Sequence, residues 1–200
     1  SIGEIGGDNA RGSNINIPLP PGSGSGAYKY SFENVVIPAL QRFHPDFIIV
    51  SSGFDASYAD SLSAMMLSSE DYRYFTRELM NVADTCCDGR ILFAHEGGYS
   101  KDYVPFCGIA VVEELSRFRT AVIDSYYPEV SQWGYQDLQS HQAAVVDQTA
   151  MLHGLVPLDC PDSIQPFTHQ HALYLQIKHA MKQYHDMTGN SVSSLLSGIQ

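Results

Sequence analysis

The sequence predicts an α/β domain built on a parallel β-sheet, followed by a helical C-terminal segment. Two short apolar runs, residues 46–51 and 90–94, have the composition of buried strands, and each is followed by a longer segment with apolar residues at helical spacing. Strands that are apolar along their whole length are typical of parallel sheets covered by helices on both faces. Residues 120–200 show no strand alternation and are predicted to be helical.

The chain begins with a short alternating segment. Apolar residues recur with a period of two over residues 15–19 and predict a strand that Pro18 cuts short. The glycine- and serine-rich residues 22–26 lack the lysine of a phosphate-binding loop, so they are predicted to form a flexible loop. Residues 27–43 have helical spacing, and Pro38 is expected to bend this helix or to mark a boundary within it.

The second half of the α/β pattern repeats the first. Ser68 or Ser69 is predicted to cap a helix. Glu70 and Asp71 lie in its first turn, where acidic side chains are favourable. After the strand at 90–94, a further helix is predicted from Tyr103 to Leu115. Two more helices are predicted near 138–152 and 169–185.

The composition is acidic. Eleven Lys and Arg residues oppose 22 Asp and Glu residues, which gives a formal net charge of −11. Phosphate binding requires a basic surface, so this balance argues against nucleic acid or an anionic membrane as the main partner. No apolar run has the length of a membrane span. Four cysteines without metal-binding spacing predict reduced thiols in the cytoplasm or the nucleus.

Two candidate functional residues follow the two predicted strands. Asp55 comes after Ser51-Ser-Gly-Phe, and Tyr99 comes after Glu96-Gly-Gly. Ligands of open parallel sheets bind beyond the carboxyl ends of the strands, so both side chains are expected at one site. A carboxylate can ligate a metal and a phenol can donate to an oxyanion, but Asp55 alone cannot hold zinc. Both residues also fit an ordinary turn, so the pattern by itself indicates a ligand site and no more.

Three linked motifs narrow this interpretation. They are Asn14-Ile-Asn-Ile-Pro-Leu-Pro-Pro-Gly-Ser-Gly, Pro45-Asp-Phe-Ile-Ile-Val-Ser-Ser-Gly-Phe-Asp-Ala-Ser57 and Glu96-Gly-Gly-Tyr99. Together they closely resemble the zinc-dependent histone deacetylase family, in particular its class II members and the bacterial acetylpolyamine amidohydrolases. The resemblance covers about the first 120 residues and implies a three-layer arginase/deacetylase-like α/β fold with a parallel sheet, present here in part.

The resemblance also implies roles for individual residues. Asp55 matches a zinc-ligating aspartate, and Tyr99 matches the tyrosine that hydrogen-bonds the substrate carbonyl and then the oxyanion. Gly97 and Gly98 match glycines that line the acetyl-lysine channel. Leu62 falls where the family has an apolar residue of the channel wall. Its surroundings differ, because Asp60-Ser-Leu-Ser replaces the family's Asp-Pro-Leu-Gly and leaves the conformation of this loop open.

The implied activity is zinc-dependent hydrolysis of an acetyl-amide, on the lysine side chain of a protein such as a histone tail or on a polyamine, with a role in chromatin regulation in the histone case. The implied organisation is a C-terminal portion of the catalytic domain over 1–119 and a helical extension over 120–200 that is available to protein partners. The family's other zinc ligands, Asp-x-His, and its His-His dyad do not occur before Asp55. We therefore expect that the chain, which starts at Ser1 without a Met, is a fragment that binds zinc poorly and is inactive by itself.

Several other interpretations fit parts of the sequence. A degenerate deacetylase-like module could act through protein contacts alone, and related two-manganese ureohydrolase chemistry would need Asp and His clusters that the sequence lacks. His44 is interpreted as a helix-end residue and His95 as a structural residue, since H-E-x-x-H is absent. His169 and His171 lack a carboxylate or thiol placed to complete a metal site with them.

Overall fold

Two parallel strands form the centre of the computed structural model, which describes residues 1–155. Strand β1 spans Ile48–Ser52 and β2 spans Ile91–His95. They pair in parallel, with Ile48 opposite Ile91 and Ser52 opposite His95. Both predicted strands are confirmed to within two residues, and their carboxyl ends lie side by side as the sequence analysis expected.

The first predicted helix is confirmed, with an irregular turn in its middle. Helix α1 (Ser25–Ser31) continues through a π-helical turn (Phe32–Val36) into α2 (Ile37–Phe43). The wider turn ends just before Pro38, which has no N–H and whose ring would crowd a carbonyl of a regular α-helix at this point. The residue after α2, His44, is left-handed with φ 54°, which confirms that it ends the helix.

The longest helix, α3 (Ser69–Cys86), begins as its sequence predicts. Ser68 is the N-cap residue and forms a reciprocal capping box with Asp71. The Ser68 backbone N–H donates to the Asp71 carboxylate at 2.7 Å, and the Ser68 hydroxyl contacts the same oxygen at 2.8 Å. The first of these bonds satisfies the Ser68 N–H, which has no partner within the helix.

The remaining described elements are helical. They are α4 (Val104–Ser116), α5 (Tyr127–Val130), a 3₁₀ turn (Gly134–Gln136) and α6 (Ser140–Leu152). The predictions of helices at 103–115 and 138–152 are confirmed, and the helix predicted at 169–185 lies outside the described residues. Residues 1–150 form one compact unit that includes α5, so the boundary between 119 and 120 stays a proposal. None of the helices within 1–155 is long and apolar enough to cross a bilayer.

The helices pack on the sheet through two apolar clusters. One joins β1 to α3 through Ile48, Val82, Ala83 and Cys87. The other lies under the candidate site and consists of Phe54, Leu67, Tyr72, Tyr103, Cys107 and Val111. The loop that carries Asp55 therefore rests on the second cluster through Phe54, which is 5% exposed.

A buried ion pair fastens α3 to α4. Glu113 is 4% exposed, and its carboxylate lies 2.8 Å from the Arg73 guanidinium. The Thr120 backbone N–H donates to the same carboxylate at 2.7 Å, and the Thr120 hydroxyl also donates to it. The hydrogen bond from the Thr120 hydroxyl lowers the pKa of Glu113, and burial acts in the opposite direction. The Thr120 N–H and Arg73 lower the pKa further, so it lies below its ordinary value.

The described residues differ from the expectations about the architecture at three places. Among residues 1–155 one face of the strands is open, with Ile49 71% and its register partner Leu92 49% exposed. Residues 1–155 place helices against only the face that carries Ile48 and Val50. Residues 15–19 form no strand, since proline interrupts the donors that a ladder needs.

The third correction concerns residues 22–26, which are not a flexible loop. Ser25 and Gly26 lie in α1. The Ser25 N–H donates a hydrogen bond of 2.9 Å to the side-chain oxygen of Gln136, which is distant in sequence. A β-carbon on Gly24 would lie 2.4 Å from the Tyr135 carbonyl oxygen. The glycines of this segment therefore allow close backbone packing. A sequence rich in glycine and serine fits such packing as well as it fits a flexible loop.

Candidate metal and oxyanion site

The loops that follow β1 and β2 are tied together at the carboxyl edge of the sheet. The Phe54 N–H donates to the Gly97 carbonyl at 2.8 Å, and the Glu96 N–H donates to the Ser52 carbonyl at 3.1 Å. These bonds extend the pairing of the strands by two residues. Asp55 and Tyr99 are therefore held on one backbone framework, although they are 44 positions apart in sequence.

The Asp55 carboxylate fits between two glycines. A β-carbon built on Gly53 would lie 3.1 Å from Asp55 Oδ1, and one built on Gly97 would lie 2.3 Å from Oδ2. Any side chain at Gly97 would therefore collide with the carboxylate. Asp55 is partly buried, and within residues 1–155 no donor hydrogen-bonds its carboxylate. A partly buried carboxylate without donors is suited to a cation.

The Tyr99 hydroxyl lies close to the same glycine. The built β-carbon position on Gly97 is 3.5 Å from the Tyr99 hydroxyl oxygen, and the tyrosine is 58% exposed. The structure therefore brings the predicted metal ligand and the predicted oxyanion donor together around Gly97, with the phenol accessible from solvent.

Gly98 has a backbone conformation that side chains seldom adopt. Its φ is +132°, and a β-carbon there would lie 3.0 Å from Phe54 Cβ and 3.0 Å from Val104 Cγ2. The glycine allows the chain to turn closely over the apolar cluster before it reaches Tyr99. Gly97 and Gly98 thus have separate reasons to be glycine, the first at the carboxylate and the second in the turn.

Leu62 lies on an exposed loop, and Asp60 joins that loop to Tyr99. The Leu62 side chain is 74% exposed, whereas Asp60 is 8% exposed. The Leu62 N–H donates to Asp60 Oδ1 at 2.8 Å, and the Tyr99 N–H donates to Oδ2 at 2.7 Å. Burial alone would raise the pKa of Asp60, but backbone N–H bonds from Leu62, Tyr99, Ser63 and Ser100 outweigh it and hold the pKa below its ordinary value.

The Asp55 carboxylate affects the pKa values of two tyrosines, Tyr28 and Tyr72. Burial raises the pKa of Tyr28 to about 12, and the Asp55 carboxylate adds to this rise. Burial also raises the pKa of Tyr72, with a smaller contribution from Asp55. The Tyr72 hydroxyl is buried without a hydrogen-bond partner among residues 1–155. Both phenols thus stay neutral and add no negative charge next to the carboxylate.

Among residues 1–155, the predicted metal ligand at this site is Asp55. Within residues 1–155, no group of three or more His, Cys, Asp or Glu side chains is arranged to hold a metal ion. His95 is the last residue of β2 and packs its ring against Phe54 at 4.9 Å between centroids. His169 and His171 lie outside the described residues.

The Histone deacetylase domain profile matches residues 1–115, more than half of the sequence. The chain belongs to the histone deacetylase family. Among the relatives of this deacetylase chain, the histone deacetylase-like amidohydrolase of Pseudomonas aeruginosa is 49% identical over 121 residues, which are 60% of this chain and 32% of that protein. Histone deacetylase 8 of Arabidopsis thaliana is 35% identical over 132 residues, which are 64% of this chain and 35% of that protein.

Solved structures confirm the predicted deacetylase fold. The crystal structure of the HDA15 HD domain matches with a TM-score of 0.63 and 25% identity, over 76% of this chain and 38% of that one. The histone deacetylase Clr3 also gives a TM-score of 0.63, at 23% identity, over 91% of this chain and 29% of that one. This deacetylase chain thus spans about a third of the length of the relatives it matches.

Sequence reasoning missed Gly53 and the role of Asp60. Gly53 had a local signal, because it lies two residues before Asp55 at a strand end. Asp60 was noted only as part of a loop that departs from the family pattern. Its bond to Tyr99 spans 39 positions and has no signature in a single sequence.

Proposed function

We propose that Asp55 ligates zinc and that Tyr99 stabilises the oxyanion in the hydrolysis of an acetyl-amide. The observation that carries the proposal is that the Asp55 carboxylate and the Tyr99 hydroxyl flank Gly97 at adjoining strand ends. The family membership of residues 1–115 supports an amidohydrolase. The position of both residues at the carboxyl edge of the sheet supports their assignment and an approach of the substrate from that edge.

The residues of this site fit zinc as part of a larger ligand set. Asp55 offers an oxygen ligand without competing donors from residues 1–155, and carboxylate oxygens bind zinc in catalytic sites. A catalytic zinc site needs three protein ligands, so we propose that the others come from outside the described residues. When bound, zinc polarises the amide carbonyl and lowers the pKa of a bound water. By itself the chain is then expected to bind zinc weakly and not to deacetylate.

Tyr99 acts on the oxygen of the amide carbonyl. As water adds to the carbonyl carbon, negative charge moves to that oxygen, and the Tyr99 hydroxyl donates a hydrogen bond to it. A proton released by the water passes to the amide nitrogen, the carbon–nitrogen bond breaks, and the amine leaves while the new oxygen stays on the carbon as acetate. Gly97 and Gly98 keep the backbone beside this position free of side chains, and the exposed Leu62 forms apolar wall for the alkyl chain of the substrate.

The substrate class follows from the same reasoning. We propose an acetylated lysine side chain, as in a histone tail, or an acetylated polyamine, with class II enzymes as the nearest branch and chromatin regulation as the role in the histone case. The net charge of −11 favours cationic substrates.

We also propose an intracellular, cytoplasmic or nuclear setting, to which the free thiols of Cys86, Cys87 and Cys107 are suited. Segment 120–200 is proposed as the site of contacts with partner proteins.

A chimera tests the proposal. The segment of the Pseudomonas relative that aligns over 121 residues is replaced by this chain's sequence, and hydrolysis of an acetyl-lysine peptide is measured together with zinc content. Tyr99→Phe should lower kcat by ~10²–10³ with zinc content unchanged, since one oxyanion donor is lost. Asp55→Asn should lower the zinc content itself because an amide is a poorer ligand than a carboxylate.

The matched control is Tyr74→Phe, which removes a hydroxyl on α3 that lies 3.5 Å from Glu33. It should leave both readouts at the level of the unmodified chimera. Loss of zinc in Tyr99→Phe would contradict the assigned role. A folded chimera without any turnover would favour the alternative of a non-catalytic module that acts through protein contacts.

A further inference from the structure

One buried carboxylate outside the metal site contacts both loops that carry the substrate-facing residues. Asp60 is 8% exposed, and its Oδ1 accepts hydrogen bonds from the Leu62 N–H at 2.8 Å and the Ser63 N–H at 3.3 Å. Its Oδ2 accepts the Tyr99 N–H at 2.7 Å. Each oxygen therefore serves a different segment, one local and one on the neighbouring strand end.

Bonds from the Gly22 N–H to the Ala64 carbonyl at 2.6 Å and from the Met65 N–H to the Ser63 hydroxyl at 3.3 Å hold the end of the local segment, whereas the turn at Leu62 itself is closed by Asp60. Where the family pattern has Pro and Gly around the leucine, this chain has Ser61 and Ser63, so neither neighbour of Leu62 restricts the backbone. The Asp60 side chain closes the turn by accepting N–H bonds two and three residues ahead. The turn that presents Leu62 thus depends on the carboxylate.

The distant segment depends on the same group. Tyr99 follows Gly98, whose φ of +132° leaves the backbone without the restraint of a β-carbon. The Tyr99 side chain is 58% exposed, so packing holds its ring only in part. The short bond from the Tyr99 N–H to Asp60 fixes the backbone from which the phenol projects, and bonds to an ionised acceptor are stronger than neutral ones.

We propose that Asp60 is a positioning residue that sets the Tyr99 hydroxyl and the Leu62 side chain relative to each other. The catalytic meaning of this placement rests on the proposed function, in which Tyr99 is the oxyanion donor and Leu62 the channel wall. The placement itself does not depend on it. Asp60→Asn separates the two bonds, because an amide accepts at its oxygen alone and presents N–H groups at the other position.

The test uses the whole 200-residue chain labelled with ¹⁵N. In Asp60→Asn, hydrogen exchange of the Leu62 or the Tyr99 amide should rise at least tenfold, while the amides of Val50 and Phe93 in the strands keep their rates. Asp102→Asn is the matched control, because it removes the same charge from an exposed position three residues after Tyr99 and should change neither amide. Unchanged exchange at both Leu62 and Tyr99 in Asp60→Asn would overturn the proposal.

A second readout follows the phenol. With 3-fluorotyrosine in all twelve tyrosines, the ¹⁹F resonance of Tyr99 is assigned by its absence in Tyr99→Phe. Asp60→Asn should shift or broaden this resonance and leave that of Tyr74 on α3 in place. A Tyr99 resonance identical to that of the unmodified chain would show that the carboxylate does not position the ring, and would overturn the proposal.

A third measurement needs no variant, so it holds even if Asp60→Asn does not fold. A scalar coupling across the hydrogen bond from the Tyr99 amide nitrogen to the Asp60 carboxyl carbon should be detectable in the unmodified chain, and its absence would overturn the proposal. These measurements do not require activity. An inactive chimera together with an intact Asp60 coupling would count against the proposed function and not against the positioning role.

Discussion

Replacing Gly97 with alanine perturbs the candidate site by a single methyl group. The added carbon would lie 2.3 Å from Asp55 Oδ2 and 3.0 Å from Asp55 Cγ. Ordinary contact between such atoms needs about 3.5 Å, so the carboxylate oxygen must move by about 1 Å. Gly53 has no β-carbon, so the space beside Oδ1 stays open. The carboxylate therefore has to rotate away from its present position beside Gly97.

The expected consequences for stability and function differ in size. Oδ2 is the end of a side chain, so the backbone can stay in place, and an off-rotamer aspartate costs about 1 kcal/mol of unfolding free energy. A displacement of about 1 Å at a reacting centre can lower the rate by about 10². We therefore expect Gly97→Ala to remain folded while the chimera loses about two orders of magnitude in kcat/KM and part of its zinc.

Three measurements check this prediction. Urea unfolding of the 200-residue chain gives the change in stability, and the chimera gives kcat/KM and zinc content. The control is Gly7→Ala, where a β-carbon meets nothing within 4 Å. Stability, kcat/KM and zinc content should therefore all stay unchanged. Zinc content and kcat/KM within twofold of the unmodified chimera in Gly97→Ala would refute the reasoning, because the carboxylate would then tolerate the collision.

Two further predictions concern the stability of the chain. Ser68→Ala removes the cap of α3 and its contact with Asp71, and it should lower the free energy of urea unfolding by about 1 kcal/mol. Glu113 has a pKa below its ordinary 4.5, so the stability it contributes is fully present above pH 4.5 and is lost as pH falls through the lowered value. Glu113→Gln should therefore lower stability at neutral pH and flatten the decline measured by urea unfolding below pH 4.5.

Exposed residues of the same types serve as controls. Ser61→Ala should leave the unfolding free energy within a few tenths of a kcal/mol, as is usual at surface positions, and Glu96→Gln should preserve the acid decline of the unmodified chain. An unchanged midpoint for Ser68→Ala would show that the first turn of α3 is stable without its cap. An equally steep acid decline in Glu113→Gln would assign that decline to other carboxylates.

The placement of Asp55 beside Tyr99 could be predicted because it follows from a general rule of topology. Both residues come directly after apolar runs, and the carboxyl ends of parallel strands share one edge of the sheet. The N-cap at Ser68 or Ser69 and the end of a helix at His44 could also be predicted, since both depend on residues within one turn of helix. These features are local or follow from strand order.

Other features were wrong or missed because they depend on distant parts of the chain. The exposure of Ile49 depends on which face the helices cover, and an apolar strand sequence does not encode that choice. The rigidity at Gly24 comes from Tyr135, more than a hundred positions away. The bond between Asp60 and Tyr99 joins residues 39 positions apart. In each case the sequence around one residue of the contact does not indicate which distant residue it meets.

The fit of the Asp55 carboxylate against Gly97 has a consequence for sorting uncharacterised members of the family. A tyrosine at the position of Tyr99 can persist in a chain that has lost its metal site, because the phenol needs no partner to be tolerated on the surface. Glycine at position 97 is a stricter indicator, since any larger residue displaces the neighbouring carboxylate. A screen for competent chains is therefore better based on Gly97 together with Asp55 than on the tyrosine alone.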